Sequence, residues 1–372
     1  MSTIRLSKSV VGEEEKSALA RVIDAGYLGM GQEVQLFENE LKVYMGTELD
    51  VVCVSTGTAA LHLALACLDI GPGDEVLVPS ITYVASFQAI SATGATPVAC
   101  DVDEASGFID LVDARGRITP NTRAIMPVHY ASDSQNMGSV YAFAKIYQLR
   151  VIEDAAHSFG CKRDGSLIGY MGDIICFSFD GIKNITSGEG GAVVTSDSKL
   201  SQRIKDARLL SVEKDTEKRY RGERSWDLDV RHQGFRYHMS NLMAAIGREQ
   251  LKKVDIFSSH RRVCASRYLE GLKDINGLVF LDLDYKNIVP HIFPVRIING
   301  QRDKLMEVLR AENIECGIHY MPNHLLRFFS TKYPLPNAEK LGLELLSLPL
   351  HADLTKEDQG FVIAQVKSFL DR

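Results

Sequence analysis

From about residue 51 to residue 195, short apolar runs rich in Val and Ile alternate with longer segments that carry apolar residues at helical spacing. This alternation predicts strands joined by crossover helices around a mainly parallel sheet. The predicted strands lie at residues 51–54, 75–78, 96–101, 124–129, 151–153, 174–179 and 192–195. Seven strands of this kind predict one large α/β domain, which we place at residues 1–250.

After residue 250 the pattern changes. A helix ending near Leu272, a strand at about 291–297, a helix at 302–312 and an apolar segment at 343–350 follow one another. That mixture predicts a smaller α+β domain at residues 251–372. Ahead of it, residues 212–231 are polar and have no clear period, so we predict a long loop there.

The composition narrows the classes of protein to consider. The chain has 372 residues and a net charge of −6, which argues against a nucleic-acid surface built from clustered Lys and Arg. No stretch is long and apolar enough to span a membrane, and the amino-terminal residues resemble no export signal. The seven cysteines form an odd set without CxxC pairs, so we expect reduced core residues of a cytoplasmic protein and no metal site.

The first candidate for chemistry is Lys183. It comes just after an apolar strand and is followed by the glycine-rich run at residues 188–191. Functional sites in α/β sheets lie at such strand ends, and lysine is rarely buried without a partner. Lys183 is therefore either a solvated loop residue or a reactive amine, and composition alone favours the loop residue.

A second candidate is Asp154, which directly follows the short predicted strand at residues 151–153. An Asp in that position could cap the next helix. A carboxylate beside a pyridinium nitrogen, however, keeps that nitrogen protonated, as the cofactor pyridoxal phosphate (PLP) requires to accept electrons. His157 follows one helical turn later.

A third candidate is the run Ser-Thr-Gly-Thr-Ala-Ala at residues 55–60, which closes the first strand and opens a helix. The free N–H groups of a helix start can hold a phosphate, although Thr58 could serve only as a helix cap. Neither GxGxxG nor GxxxxGK[ST] occurs in the chain, which argues against dinucleotide and P-loop sites.

Taken in order, the motifs of this chain resemble the DegT/DnrJ/EryC1/StrS family of sugar aminotransferases, a branch of the fold type I PLP enzymes. The resemblance covers nearly the whole chain. The motifs that carry it are GTAALH at 57–62, GPGDEV at 71–76, PSITYVAS at 79–86, IEDAAHSFG at 152–160, FSFDGIKNITSGEGG at 177–191, MSNLMAAIG at 239–247, HYMPNH at 319–324 and SLPLH at 347–351.

The resemblance implies roles for four residues around the cofactor ring. Lys183 would be the catalytic residue, to which PLP is covalently attached, and Asp154 would pair with the pyridine nitrogen. Tyr83 falls where the family places an aromatic ring stacked on the cofactor, although it could instead be a core residue. His157 would approach the ring or its phenolic oxygen.

The family also binds the cofactor phosphate in a characteristic way. The backbone around Thr58 and Ala59 and the hydroxyl of Ser178 would hold it, although Ser178 could be a satisfied polar group of its strand. Arg236 stands near the position where relatives commonly use Asn to reach the phosphate of the neighbouring subunit, and as a charged fork it could still bind phosphate. The resemblance therefore implies a homodimer with shared active sites.

The activity implied is the transfer of the amino group of L-glutamate to a nucleotide-linked keto sugar, with pyridoxamine phosphate as the intermediate form of the cofactor. Residues 186–191 look more like relatives that act at C4 of a 4-keto-6-deoxy hexose than like C3 relatives, which more often read Gly-Asp-Gly-Gly. His319, Tyr320 and His324 would line the sugar site, although their loop could equally be a structural turn.

Alternatives to this activity remain open at this point. They are a C3 aminotransferase of the same family, a non-catalytic PLP-fold regulatory protein, and a PLP enzyme that racemises or cleaves amino acids. The biological role that we expect is deoxyamino sugar biosynthesis for a surface polysaccharide such as O-antigen.

Overall fold

The computed structural model describes residues 3–224, 226 and 228–371. The α-helices among them are α1 (Glu13–Asp24), α2 (Gln32–Met45), α3 (Gly57–Cys67), α4 (Val84–Ala92), α5 (Leu111–Gly116), α6 (Met137–Tyr147), α7 (Ser198–Ala207), α8 (Asp215–Tyr220), α9 (Asn241–Lys252), α10 (Val254–Gly271), α11 (Arg302–Ala311), α12 (Pro336–Glu344) and α13 (Lys356–Leu370). The strands are β1 (Asp50–Val54), β2 (Glu75–Pro79), β3 (Thr96–Cys100), β4 (Thr122–Ile125), β5 (Arg150–Asp154), β6 (Lys162–Arg163), β7 (Ser166–Leu167), β8 (Ile174–Ser178), β9 (Gly191–Thr195), β10 (Leu278–Phe280), β11 (Phe293–Ile297) and β12 (Leu345–Leu348).

The large sheet has seven strands in the order β1-β9-β8-β5-β4-β2-β3, and the predicted mainly parallel α/β architecture is confirmed. Only β9 runs antiparallel to its neighbours, β1 and β8. The chain turns back between β8 and β9, where the N–H of Phe179 bonds to the carbonyl of Gly190 at 2.8 Å. A strand that begins at the edge where the previous strand ended can only run antiparallel to it.

Strand β4 is shorter than the predicted 124–129. It ends at Ile125, and the chain then continues beside β5 through isolated contacts, such as the bridge between Val128 and Asp154. Pro127 lies in this stretch and has no N–H to donate to a regular ladder, which explains the early end of the strand.

Three strand ends meet at one edge of this sheet. Because β1 and β8 are both antiparallel to β9, they are parallel to each other, and Val54 and Ser178 both pair with Gly191. Strand β5 is the other neighbour of β8 and ends at Asp154 on the same edge. The fold therefore gathers residues that are distant in sequence where β1, β5 and β8 end, as expected for a site in an α/β sheet.

A second sheet is antiparallel, with the order β10-β11-β12, and packs with α10, α11 and α13 around its own apolar core. Tyr268 and Phe293 stack in this core with their ring centroids 4.8 Å apart. Ile4 also lies in it and forms a bridge with Ile314. The first described residues thus pack on the carboxyl-terminal part of the chain. The domain boundary near residue 250 stays a prediction.

The stretch predicted as a long loop contains helix α8, which the sequence pattern did not indicate. A buried cluster anchors this helix. The Arg208 guanidinium donates to Glu38 at 2.6 Å and to the hydroxyl of Tyr220 at 2.8 Å. The helix therefore owes its place to tertiary contacts rather than to its own periodicity.

All seven cysteines are buried and unpaired, in agreement with the expectation of free core residues. Over the part of the chain that the structure describes, none of the helices combines the length and the apolar character needed to cross a bilayer.

Candidate active site

A cavity of about 540 Å³ opens at the edge where β1, β5 and β8 end. It joins residues that lie far apart in the sequence, from the first strand to the loop before α12. The residues singled out in the sequence that line it are Thr58, Tyr83, Asp154, His157, Ser178, Lys183, His319 and Tyr320. The structure therefore brings eight of the eleven candidate residues to one place.

Lys183 is half-buried in the loop between β8 and β9. Asn184 holds this loop, because its side-chain amide donates to the carbonyls of Phe159 at 3.0 Å and Val289 at 3.1 Å. Burial lowers the pKa of Lys183 to about 8, although the nearby carboxylates of Asp154 and Asp180 favour the charged form. A substantial fraction of neutral amine is therefore present near neutral pH, as a nucleophile or base requires.

Asp154 is buried at the end of β5, and each of its two carboxylate oxygens accepts one hydrogen bond. The Ser86 hydroxyl donates to Oδ2 at 2.7 Å, and the N–H of Ala156 donates to Oδ1 at 3.2 Å. The chain after it forms a turn, so Asp154 caps no helix. Its carboxylate faces the cavity in a fixed orientation and can accept a further hydrogen bond there.

Behind Asp154, Glu153 forms a buried ionic cluster. Its Oε2 lies 2.9 Å from His129 Nε2 and 2.8 Å from Arg163 Nη1, and the Tyr141 hydroxyl donates to Oε1 at 2.5 Å. Burial acts to raise the pKa of Glu153, but the hydrogen bonds and charges of His129 and Arg163 lower it to about 2. An ionised carboxylate thus anchors the strand end that carries Asp154.

Three histidines surround the lysine. His157 Nε2 lies 3.0 Å from the Tyr320 hydroxyl, and His319 Nδ1 lies 2.8 Å from the Ser347 hydroxyl. Burial and the charge of Lys183 lower the pKa of His319 to about 4, and they hold the pKa values of His157 and His291 well below the usual range. All three imidazoles are therefore neutral near pH 7.

The start of α3 forms the wall of the cavity next to Ser178. Thr56 caps this helix by accepting the N–H of Ala59 at 2.9 Å, so the alternative that Thr58 is the cap is wrong. A side-chain carbon on Gly57 would stand 2.7 Å from Cβ of Ser178, so only glycine lets the helix start come this close. The arrangement presents the first N–H groups of α3, at Gly57 and Thr58, beside the buried hydroxyl of Ser178.

Tyr83 stands at the mouth of the cavity. It precedes α4, and 60% of its surface is exposed, which rules out the alternative of a core residue. Its ring centroid lies 5.8 Å from that of Tyr320. An exposed aromatic face next to a cavity is suited to stack on a planar ligand.

Three of the candidate residues do not line the cavity. Ala59 is buried behind the helix start, and its N–H is occupied by Thr56. Arg236 is exposed outside the cavity, on a segment that bridges to Leu209. His324 is buried in a short turn, where Nδ1 lies 2.7 Å from the Ser80 hydroxyl and Nε2 lies 3.2 Å from Glu339.

Among the residues that line the cavity, sequence reasoning missed two carboxylates and one imidazole, those of Asp180, Glu189 and His291. Asp180 and Glu189 flank the lysine in the same motif, and their charge was the available signal. Burial and the charge of Asp180 raise the pKa of Glu189. His291 lies more than a hundred residues after the lysine, and its local sequence carries no comparable signal.

Comparison with known proteins relates the whole chain to one group. The spore coat polysaccharide biosynthesis protein SpsC of Bacillus subtilis is 33% identical over 98% of this chain and 96% of its own length. The crystal structure of DesV from S. venezuelae superposes with a TM-score of 0.88 at 34% identity, over 97% of this chain and 95% of DesV. NtdA from Bacillus subtilis, solved with bound cofactor PMP, has a TM-score of 0.88 at 26% identity, over 97% of this chain and 82% of NtdA.

The sequence model of one family matches residues 9–367, which include every residue of the cavity described above. The match thus extends over both sheets and over the loop that carries Lys183. The chain belongs to the DegT/DnrJ/EryC1/StrS aminotransferase family.

Proposed function

We propose that this aminotransferase moves the amino group of L-glutamate to a nucleotide-linked keto sugar, at C4 of a 4-keto-6-deoxy hexose. Its cofactor is PLP, which alternates with pyridoxamine phosphate. The observation that carries the proposal is the position of Lys183, whose pKa is lowered to about 8, in one cavity with the fixed carboxylate of Asp154.

The residues of the cavity fit this cofactor. The N–H groups at the start of α3 and the Ser178 hydroxyl would hold the phosphate, and the close approach at Gly57 leaves no room for a side chain between them. Asp154 would accept the hydrogen of the ring nitrogen, and the exposed ring of Tyr83 would cover one face. When bound, PLP supplies an aldehyde that bonds to amine nitrogen and a ring that takes up electrons as a C–H bond is broken.

Lys183 acts twice in the proposed reaction. Its amine would hold the cofactor covalently, and as a free base the same amine would take up and return the proton at the reacting carbon of the substrate. A pKa near 8 suits this role, because the residue must both accept and return the proton at neutral pH. Asp154 stabilises the protonated ring throughout, since Ser86 and Ala156 fix its orientation.

The residues that one chain contributes to the cavity carry too little positive charge for the anions that the site would bind. Lys183 is the one cation among the described residues that line the cavity, which also carries the carboxylates of Asp154, Asp180 and Glu189. The cofactor phosphate and a nucleotide diphosphate are both anionic. We infer that a second copy of the chain completes the site in a homodimer and that its Arg236, exposed here, binds the phosphate.

His319 and Tyr320, which line the cavity, would contact the sugar. Their neutral ring nitrogens and hydroxyl are suited to sugar hydroxyls, which donate and accept hydrogen bonds without charge. His324 would contribute indirectly, by holding the turn that follows them against β2. The C4 regiochemistry rests on the motif at residues 186–191, and C3 transfer is the alternative.

The spectrum of the protein with bound PLP tests the proposal. On addition of L-glutamate, we expect the absorption band of bound PLP to disappear and that of pyridoxamine phosphate to appear. The Lys183→Ala variant should bind PLP but lose at least about 10³-fold in the rate of this change, because no amine moves the proton. Measurement of absorbance over time in both proteins checks this.

A nucleotide-linked 4-keto-6-deoxy hexose should then restore the original spectrum and yield a sugar aminated at C4, as seen by NMR of the product. Amination at C3 of a 3-keto sugar instead would support the alternative. An unchanged spectrum with glutamate would contradict the proposed donor and favour a non-catalytic protein, and full activity of Lys183→Ala would contradict the role of the lysine.

A further inference from the structure

His291 is a buried histidine that lines the cavity from the carboxyl-terminal part of the chain, just ahead of β11. Its backbone is held on both sides. The N–H of His291 donates to the Ser132 hydroxyl at 3.0 Å, and Ser132 donates in turn to the carbonyl of His157 at 2.6 Å. Arg261 donates to the carbonyl of His291 at 3.2 Å. The ring is therefore kept in one place beside the catalytic lysine.

The ring itself is not satisfied by the protein. Only 4% of His291 is exposed, and neither of its ring nitrogens hydrogen-bonds to another described residue. Nδ1 is fully enclosed, so Nε2 is the nitrogen that faces the cavity. Its ring centroid lies 4.5 Å from that of His157, whose Nδ1 is also without a described partner. A polar atom in a buried ring is rarely left without a partner, so Nε2 of His291 at the wall of the cavity indicates a ligand that bonds to it.

The charge state of His291 limits what this ligand can be. Burial and the charge of Lys183 hold its pKa well below the usual range, so the imidazole is neutral and offers one N–H donor. A group beside Lys183 stands close to the carbon on which the reaction takes place. Each half-reaction of an aminotransferase interconverts an amine and a keto compound, and the keto compounds of the two half-reactions share the carbonyl group at that carbon.

We propose that the imidazole of His291 donates a hydrogen bond to the carbonyl oxygen of the keto substrate in both half-reactions. The inference rests on the proposed function. The keto carbon would condense with the amine of the aminated cofactor. A C–N double bond would form, the C–O bond would break, and the oxygen would leave as water with the two protons of the amine nitrogen. In the reverse direction, water returns this oxygen to the carbon. His291 draws electron density towards the oxygen and is unchanged at the end.

Two variants separate this role from simple packing. His291→Phe keeps a ring of similar size without a donor, and we expect both half-reactions to slow by about 100-fold, as when one donor to a developing oxyanion is removed. His291→Gln keeps an N–H group, and its rates should stay within about tenfold of the wild-type rates. PLP affinity and thermal stability should be unchanged in both, and His260→Phe, outside the cavity, serves as the control.

A measurement without turnover tests the contact directly. The PLP form cannot transaminate 2-oxoglutarate, so the infrared stretching frequency of its ¹³C-labelled keto group can be read in the bound complex. We expect this frequency to be lowered in the wild-type protein and in His260→Phe, and to return towards the value in water without protein contact in His291→Phe.

The possible outcomes distinguish this inference from the proposed function. If the wild-type spectrum does not respond to glutamate, the proposed function fails. If it responds and His291→Phe reacts as fast as the wild type, or shows the same infrared frequency, the inference is overturned while the function stands. Loss of PLP binding in both variants would also overturn it, because His291 would then contact the cofactor rather than the substrate.

Discussion

The surroundings of Lys183 favour its neutral form, whereas those of Glu153 favour its charged form, although both lie near the same strand end. For the lysine, loss of water outweighs the attraction of Asp154 and Asp180, and its pKa falls to about 8. For the glutamate, hydrogen bonds and charges from His129 and Arg163 outweigh the loss of water, and its pKa falls to about 2. The amine of Lys183 is thereby made reactive, and the carboxylate of Glu153 is kept charged at neutral pH.

The charge of Glu153 predicts a pH-dependent contribution to stability. Because its pKa in the folded protein is about 2, below the usual 4.5, the stabilisation is complete above pH 4.5 and is lost as the pH falls towards 2. Glu153→Gln leaves His129 and Arg163 without their ionic partner and should lower the free energy of unfolding by about 3–5 kcal/mol at neutral pH. Urea denaturation at about pH 7 and about pH 3 measures this.

The difference between wild type and Glu153→Gln should shrink at the lower pH, because Glu153 of the unfolded wild-type chain is already protonated there and must lose this proton on folding. Glu312→Gln, on an exposed residue at the end of α11, is the matched control and should change little at either pH. Equal stabilities of the two variants at neutral pH would show that the buried cluster does not stabilise the strand end.

At the scale of elements, the start of α3 packs against the end of β8, where we propose that the cofactor phosphate binds. The helix begins directly after β1, and Thr56 satisfies the N–H of Ala59, which leaves the earlier N–H groups for a ligand. Contact with Ser178 requires a residue without a side chain at Gly57. The strand and the helix therefore form the binding surface together, and neither forms it alone.

Gly57→Ala should weaken PLP binding by at least about tenfold, because its new carbon must push the helix start away from Cα and Cβ of Ser178. The dissociation constant of PLP from the purified apoprotein, measured by equilibrium dialysis, checks this. Gly138→Ala in α6, where a side chain meets no atom within 4 Å, is the control and should bind PLP like the wild type. Unchanged affinity of Gly57→Ala would mean that the phosphate is bound elsewhere.

At the scale of the whole molecule, the distribution of charge points beyond one chain. The cavity has more carboxylates than cations among the described residues, while Arg236 is exposed outside it. Two anionic ligands bind well only where positive charge or free donors face them. In the proposed homodimer, each chain would lend Arg236 to the other and so supply this charge without any change within the chain.

Mixed dimers test the shared site. Lys183→Ala and Arg236→Ala subunits should each be nearly inactive at a PLP concentration too low to saturate Arg236→Ala. When the two are co-expressed, random pairing should restore about a quarter of the wild-type sites, because one site in each mixed dimer holds both intact residues. The rate of the glutamate-dependent absorbance change measures this, and activity no greater than the sum of the separate variants would contradict shared sites.

The order of strands and helices along the chain was determined by the sequence itself. Runs of Val and Ile at the predicted positions form the seven strands, and the residues after β1, β5 and β8 meet at one edge. Local periodicity is sufficient for this, because one strand buries its own side chains and the parallel sheet aligns the strand ends. The strand ends before Lys183 and at Asp154 could therefore be expected to meet at one edge, whereas the roles of the two residues followed from the resemblance to the family.

Only the tertiary structure decided which distant residues join that site. His291 enters the cavity and His324 does not, although both are buried histidines of the carboxyl-terminal part of the chain. Helix α8 likewise depends on Arg208, which lies outside the helix and donates to the hydroxyl of Tyr220. Such contacts depend on how separate elements pack, and that packing is set by the summed burial of the whole chain rather than by the residues on either side.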